Sequence, residues 1–336
     1  MLRLDALDAL VREVYARPDA DDARLVLADA LLGHGDPRGE LIALQLGGDD
    51  DRQRARGEQL LRAHGGRWLG ALRPVTYRAR FERGFLARLE LNGRWTASEA
   101  AWAEHVVDPQ LATVEDLVPG RSVGPIYARF VTSPAMTALR RIEVFDRPTL
   151  EALRTTPARL VHVSCPRWKV GKYGQEIHDH VLPACLRFPA LRSFAVHADA
   201  IAHVLASPLM AQLDALTVAA SVGRGLALWS RLPAAIELTI ARSAVLPDCA
   251  TTRVAWPGAL HLARDADGVV GRASGDSLLA ELVDHFSALP AALRRLEVEG
   301  AGDLAPPLSD AAQRRGIELV LLPIPRRTGH IAGLDK

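Results

Sequence analysis

Phe194, Leu216, Leu238 and Leu260 follow one another at steps of 22 residues. Each opens an apolar-x-apolar triplet, the alternation expected of a short strand with one buried face. Further triplets stand at Leu89-Glu90-Leu91, Ile142-Glu143-Val144, Val161-His162-Val163, Leu296-Glu297-Val298 and Ile317-Glu318-Leu319, the last running on through Val320 to Leu321, with a weaker one at Thr113-Val114-Glu115. Leu296 to Leu319 is a step of 23 residues, while Val161 to Phe194 takes 33 and Leu260 to Leu296 takes 36. The two long steps read as single repeats carrying insertions, over 164–188 and 263–285. A strand repeated at this period cannot bury its apolar side alone, so successive coils must stack. Pro189, Pro208, Pro233, Pro257 and Pro290 each precede a strand, where proline stops a helix and favours an extended approach. The expected fold class is α/β. A small N-terminal helical cap over 1–74 leads into a solenoid with a parallel curved sheet over 75–322. The tail, 323–336, is expected to be flexible because Pro323, Pro325 and Gly329 leave little to bury.

The period and the triplets resemble leucine-rich repeats, whose coils run to about 20–29 residues. The position that holds asparagine in their template carries Asp199, Ser221, Ser243 and Asp265 here. All four are small and polar and can bond backbone locally. The resemblance is therefore to degenerate repeats.

Before the repeats, four helices are expected. Residues 3–16 carry Leu4, Leu7, Val11 and Val14 at helical spacing. Asp21 or Asp22 is expected to cap a second helix with Leu25, Val26, Leu31 and Leu32 inward. Gly33-His34-Gly35 ends it, and Asp36-Pro37 starts a third helix running to about Leu46. Residues 51–63 make the fourth, with Leu60 and Leu61 inward. The string from Asp21 to Leu31, the Gly35-Asp36-Pro37-Arg38-Gly39-Glu40 string, and the later His64-Gly65-Gly66-Arg67-Trp68-Leu69 and Arg83-Gly84-Phe85 resemble the repeat-companion domain. That domain is a small N-terminal module of myxobacterial and planctomycete proteins, placed before leucine-rich-like repeats. The resemblance covers roughly residues 5–91 and implies a helical module leading into the first strand. It implies no activity. Asp29, Arg38 and Glu40 are read as structural, through capping, a helix start and a local Arg–carboxylate pair.

Charge excludes some partners at the level of the whole chain. The 41 basic and 40 acidic side chains leave a net charge of +1, which gives no global attraction for nucleic acid or an anionic membrane. Three lysines stand among the basic residues, so the arginine excess reads as the signature of a GC-rich bacterial genome. Three cysteines cannot form a disulfide framework, and the N-terminus lacks a signal-peptide run. A cytoplasmic protein is expected, with no membrane span.

No phosphate loop, nucleophile elbow, zinc-protease or dinucleotide string occurs. His178-Asp179-His180 with Cys165 and Cys185 holds suitable zinc ligands, but a helix there points the two histidines apart. Asp265-Ala266-Asp267-Gly268 reads as a turn, lacking the remaining calcium ligands. Trp168-Lys169 and Lys172-Tyr173 combine aromatics with lysine in the first insertion and read as a solvated loop. No cofactor and no metal are expected.

What remains is the outward side of the strands. The residue between each apolar pair faces away from the core. This gives Glu90, Glu143, His162, Thr217, Thr239, His261, Glu297 and Glu318, joined by His197, as candidate partner-binding residues. The ends of the row are acidic and the middle is neutral with histidine. A broad polar face without a convergent pocket fits protein recognition. The expected function is a non-enzymatic scaffold that binds a protein partner on the strand face. The alternatives are an enzyme or metal site in the insertions 164–188 and 263–285, and a nucleic-acid sensor.

Overall fold

A computed structural model describes residues 4–48, 50–92, 99–120, 124–165, 173–233, 236–241, 259–265, 268–274, 276–299, 301–322 and 331–332. The chain divides into two compact units. The first is Met1–Glu143 with Arg147–Leu160 and Thr328–Lys336; the second is Val144–Asp146 with Val161–Arg327.

Four helices open the first unit: α1 (Leu4–Ala16), α2 (Asp21–Gly33), α3 (Pro37–Leu46) and α4 (Asp51–Trp68). Gly35, at φ 70°, ends α2 and lets the Asp36 amide turn back to Leu31 O at 2.9 Å. Asp36 then caps α3 by accepting the Arg38 N–H at 2.9 Å, with Pro37 in the first turn. The face of α2 differs from the one expected. Ala20 holds its cap position without a side-chain bond, and Leu27, Ala28 and Leu31 are buried beside Arg24. Leu25, Val26 and Leu32 are exposed. α2 is apolar on both sides, so periodicity does not select the inner one. Arg24 selects it: the buried guanidinium donates to Pro18 O and Ala20 O and lies 5.3 Å from the Phe85 ring centre.

β1 (Thr76–Glu82) and β2 (Phe85–Leu91) form an antiparallel hairpin around Arg83-Gly84. Both turn residues have positive φ, 51° and 78°, as a two-residue type I′ turn requires. α3 grips this turn. Gln45 accepts the Gly84 N–H at 2.7 Å and donates to Phe81 O at 2.9 Å. Arg38 donates to Gly84 O at 3.0 Å and stacks 4.2 Å over Phe85. Arg38 thus clamps the hairpin; the local Arg–carboxylate pair is instead Arg56–Glu40, bonded at 2.6 and 2.9 Å. A side chain on Gly84 would put its Cβ 2.1 Å from Ile42 Cγ1.

The first unit continues through α5 (Glu99–Val106), β3 (Asp116–Val118), α6 (Gly124–Val131), β4 (Arg141–Glu143) and α7 (Arg147–Thr155). β2, β3 and β4 run parallel. Buried Tyr127 on α6 ties the last two together, donating to Leu117 O at 2.9 Å and accepting the Glu143 N–H at 2.7 Å.

In the second unit β5 (His162–Cys165), β6 (Ser193–His197), β7 (Ala215–Ala219) and β8 (Glu237–Ala241) are parallel. Their register aligns Val163, Phe194, Leu216 and Leu238. The two 22-residue steps from Phe194 to Leu238 therefore each lead from one parallel strand to the next in register, a repeat-like arrangement. β9 (Ala259–Asp265) corrects the fully parallel expectation: it runs antiparallel to β8, pairing Leu238 with Leu262. β10 (Gly268–Ser274) turns back against it, and β11 (Leu293–Glu299) and β12 (Glu318–Leu322) follow in parallel. The step from Leu238 to Leu260 matched the period without being a coil, because side-chain alternation carries no strand direction.

Behind the strands come α8 (Tyr173–Glu176), a π-helical turn (Ile177–Val181), α9 (Leu182–Cys185), α10 (Ile201–Ala206), α11 (Val222–Trp229), α12 (Asp276–Asp284) and α13 (Ala305–Arg314). α11 lies close on β8 at Gly225, where a Cβ would meet Ile240 Cγ1 at 2.6 Å. Glu281 on α12 accepts the Val222 N–H at the start of α11, at 2.9 Å. Within the segment expected as a tail, β13 (Ile331–Ala332) pairs antiparallel with β1; the rest of 323–336 lies outside the described residues. The strands form an open, mostly parallel sheet, and the fold is α/β with N-terminal helices.

Gly84→Ala should destabilise the protein by about 2–4 kcal/mol in urea unfolding, combining left-handed strain with the clash against Ile42. Gln45→Ala should cost about 1–3 kcal/mol through two lost bonds to the turn. Wild-type midpoints for both variants would refute the clamp.

Candidate interaction surface

Each unit presents a strand face. In the second, the register places Ser164, Ala195, Thr217 and Thr239 side by side across β5–β8. The row continues through His261, Arg272, Glu297 and Val320 across β9–β12. The first four are small and at most 5% exposed. Thr217 and Thr239 are therefore a floor and not projecting contacts. His162 is also displaced from its expected place. It pairs with Ser193, is 2% exposed, and sets Nδ1 2.8 Å from Ser193 Oγ. Ser164 takes the row position because it is Val163 and not Val161 that aligns with Phe194, which sets Ser164 opposite Ala195.

The other half of the row is charged. Glu297 is held by Arg272, through Nε at 3.0 Å and a second bond from Nη2, and by Arg295 at 3.2 Å. The Arg272 hydrogen bond keeps its carboxyl below the usual range. Arg295 also lies 3.8 Å from the exposed Glu318. His261 Nδ1 is 3.0 Å from Thr239 Oγ1, and Nε2 is 3.7 Å from Glu237. Burial lowers the His261 pKa, Glu237 opposes that, and Arg272 lowers it further. His197 Nδ1 lies 3.0 Å from Asp199, which also meets Arg224 at 3.1 Å.

On the first unit's strand face charges interlock. Arg80 meets Glu82 at 3.1 Å, and Asp116 lies 3.2 Å from Arg88 and 3.9 Å from Arg141. Burial raises the pKa of Glu90, with Arg78 and Arg88 opposing it. Glu143 is pushed up to about 8, chiefly by burial of its carboxyl and then by Asp116 and Glu90, against Arg88. Neither Glu143 nor Glu297 is the freely solvated acid that strand alternation implies. The triplets gave the parity of these positions but could not give the crowding by Arg88, Arg272 and Arg295. Arginines beside the triplets, as in Leu293-Arg294-Arg295-Leu296, were the available signal.

Thr239, His261 and Glu237 have the order of a nucleophile, a base and an orienting acid. Thr239 sits mid-strand between β7 and β9, where the ladders engage the backbone that would otherwise face an oxyanion. Among the described residues no group of three or more His, Cys, Asp or Glu is gathered to hold a metal ion. His178 turns to Asp179 at 2.8 Å and His180 to Glu176 at 3.7 Å, around the π turn. Cys165 and Cys185 are buried free thiols, and burial raises the Cys185 pKa. Trp168, Lys169, Lys172, Cys249, Ala266 and Asp267 lie outside the described residues. Among the described residues no helix is long and apolar enough to cross a membrane. No family model, curated protein or solved structure matches the chain.

Because folding raises the Glu143 pKa, the folded state holds a proton that the unfolded state releases. Stability attributable to this group should fall from about pH 4.5 to about pH 8 and then level off. Glu143→Gln should flatten that slope and stabilise the protein at pH 8 by on the order of 1–3 kcal/mol. Urea titrations at pH 5 and pH 8 measure it; a variant with the wild-type slope would contradict the buried carboxyl.

Proposed function

We propose that the chain is a non-enzymatic scaffold that binds a protein partner on the strand face of its second unit. The observation that carries this reading is the two-part row on that face. Ser164, Ala195, Thr217 and Thr239 form a floor of small side chains, at most 5% exposed and with little relief. Beside it, Arg272, Glu297, Arg295 and Glu318 supply fixed charges of both signs. Interfaces tend toward an uncharged centre with a polar rim, and charges there select partners more than they add affinity. The cytoplasmic location belongs to the same proposal and is supported by the buried free thiols. So do the repeat-companion reading of residues 5–91 and the leucine-rich-repeat reading of the coils. The 22-residue steps and the grip of α3 on Arg83-Gly84-Phe85 support these readings.

Thr217→Arg would raise a long side chain from the middle of the floor while leaving Leu216 and Val218 of β7 unchanged. Bait comparisons in the native cell should show a partner taken by the wild type and by Arg12→Gln on α1, and lost with Thr217→Arg. Matched partner sets for all three baits, at matched thermal stability, would reject the strand face as the docking surface.

A further inference from the structure

The net charge of +1 conceals a division inside the first unit. Residues 1–51 hold twelve acids and five arginines, whereas residues 52–80 hold eight arginines and one acid, Glu58. Segregated charge points to a polyanionic partner where whole-chain charge does not.

α4 shows how the basic stretch is laid out. Gly57, Leu60, Leu61, Gly65 and Trp68 are buried on its inner side. Arg52, Arg56, Arg62 and Arg67 are exposed, and helical geometry spreads them over about 22 Å along the outer side. Ala55, Gln59 and Ala63 fill the exposed positions between them. The acids that meet these arginines lie toward the inner side or its margins. Glu40 takes Arg56 at 2.6 Å, Asp36 lies 3.6 Å from Arg67, and Glu58 lies 3.7 Å from Arg62. Arg56 is committed to Glu40. Arg62 and Arg67 keep 69% and 64% of their side chains exposed, so their forks have donors to spare. Arg73, just beyond the helix, is exposed as well.

We infer that the outer side of α4, continued by Arg73, binds the phosphodiester backbone of nucleic acid without reading its sequence. Two properties favour this partner over an acidic protein. A protein interface draws most of its affinity from buried aromatic or large apolar anchors, and between these arginines stand alanine and glutamine. Backbone binding needs only cations that displace condensed counterions, and a planar guanidinium matches a phosphate through two donors. This surface is separate from the strand face, and its reading stands or falls independently of the proposed scaffold function.

The test uses the full chain and fluorescence anisotropy. The probes are duplex DNA and single-stranded RNA of about 25 nucleotides, each in two unrelated sequences, over about 50–200 mM salt. Binding should be the same for both sequences of each type, with Kd on the order of 10⁻⁶–10⁻⁴ M at physiological salt. Four guanidiniums (Arg52, Arg62, Arg67 and Arg73) predict a slope of log K against log salt of about −3.6 on the duplex and about −2.8 on the single strand. The two probes thus distinguish the sources of the backbone. The pair Arg52→Gln and Arg62→Gln should shrink the duplex slope by about 1.8 and weaken binding at least about 10-fold at low salt. Arg67→Gln with Arg73→Gln is the second variant and should act alike, so that a folding defect in one pair does not decide the outcome. Absence of binding at about 50 mM salt, unchanged binding in both folded variants, or equal competition by polyglutamate or anionic vesicles would overturn the inference.

Discussion

In a strand the side chains alternate, so sliding one coil by a single residue would turn its buried pair out to solvent. The column of Val163, Phe194, Leu216, Leu238 and Leu262 prevents that slip across five strands. The placement of the other side chains in the second unit follows from it. α11 can lie on β8 because Gly225 leaves room above Ile240 in the same packed layer. The outward row is the complement of the column, and its position owes nothing to the chemistry of its own residues. In the first unit the comparable fixed point is the Arg83-Gly84 turn, which α3 holds through Gln45 and Arg38.

Much of this was legible wherever one physical cause dominated. The ends of α3 followed from Asp36 and Pro37 alone, since capping is local. The coils from Phe194 to Leu238 followed from spacing, since only stacking can bury a face at that period. Legibility failed where two solutions shared a pattern. α2 could bury Leu25 and Leu32 or Leu27 and Leu31, and the choice lay in Arg24, a residue that hydropathy places outside. β9 satisfied the period with the wrong direction. Of the candidate surface, the parity of Thr217, Thr239, His261 and Glu297 was legible. The burial of His162 and the raised pKa of Glu143 were not, because they arise from neighbours brought in from other parts of the chain.

The arginine-rich composition has two physical outcomes in one chain. Arg24 and Arg38 are taken inside, where carbonyl groups and the Phe85 ring occupy them. Burial lowers the pKa of both, to about 10 for Arg24, which leaves the Arg24 guanidinium protonated at neutral pH. The arginines of α4 stay outside, and their guanidiniums meet acids from only one side. Counting basic residues therefore says little here; the number of donors left facing solvent separates a structural arginine from an available one.

β9 bears on direction. Between β8 and β10 the returning limb lies within the sheet, as β9. The sheet gains a strand width of about 4.8 Å there. Behind it α11 and α12 remain in contact through Glu281 and the Val222 amide. The small-residue floor and the charged strands are therefore joined through an antiparallel pair: the backbone direction shared by β5–β8 reverses in β9 and resumes in β10.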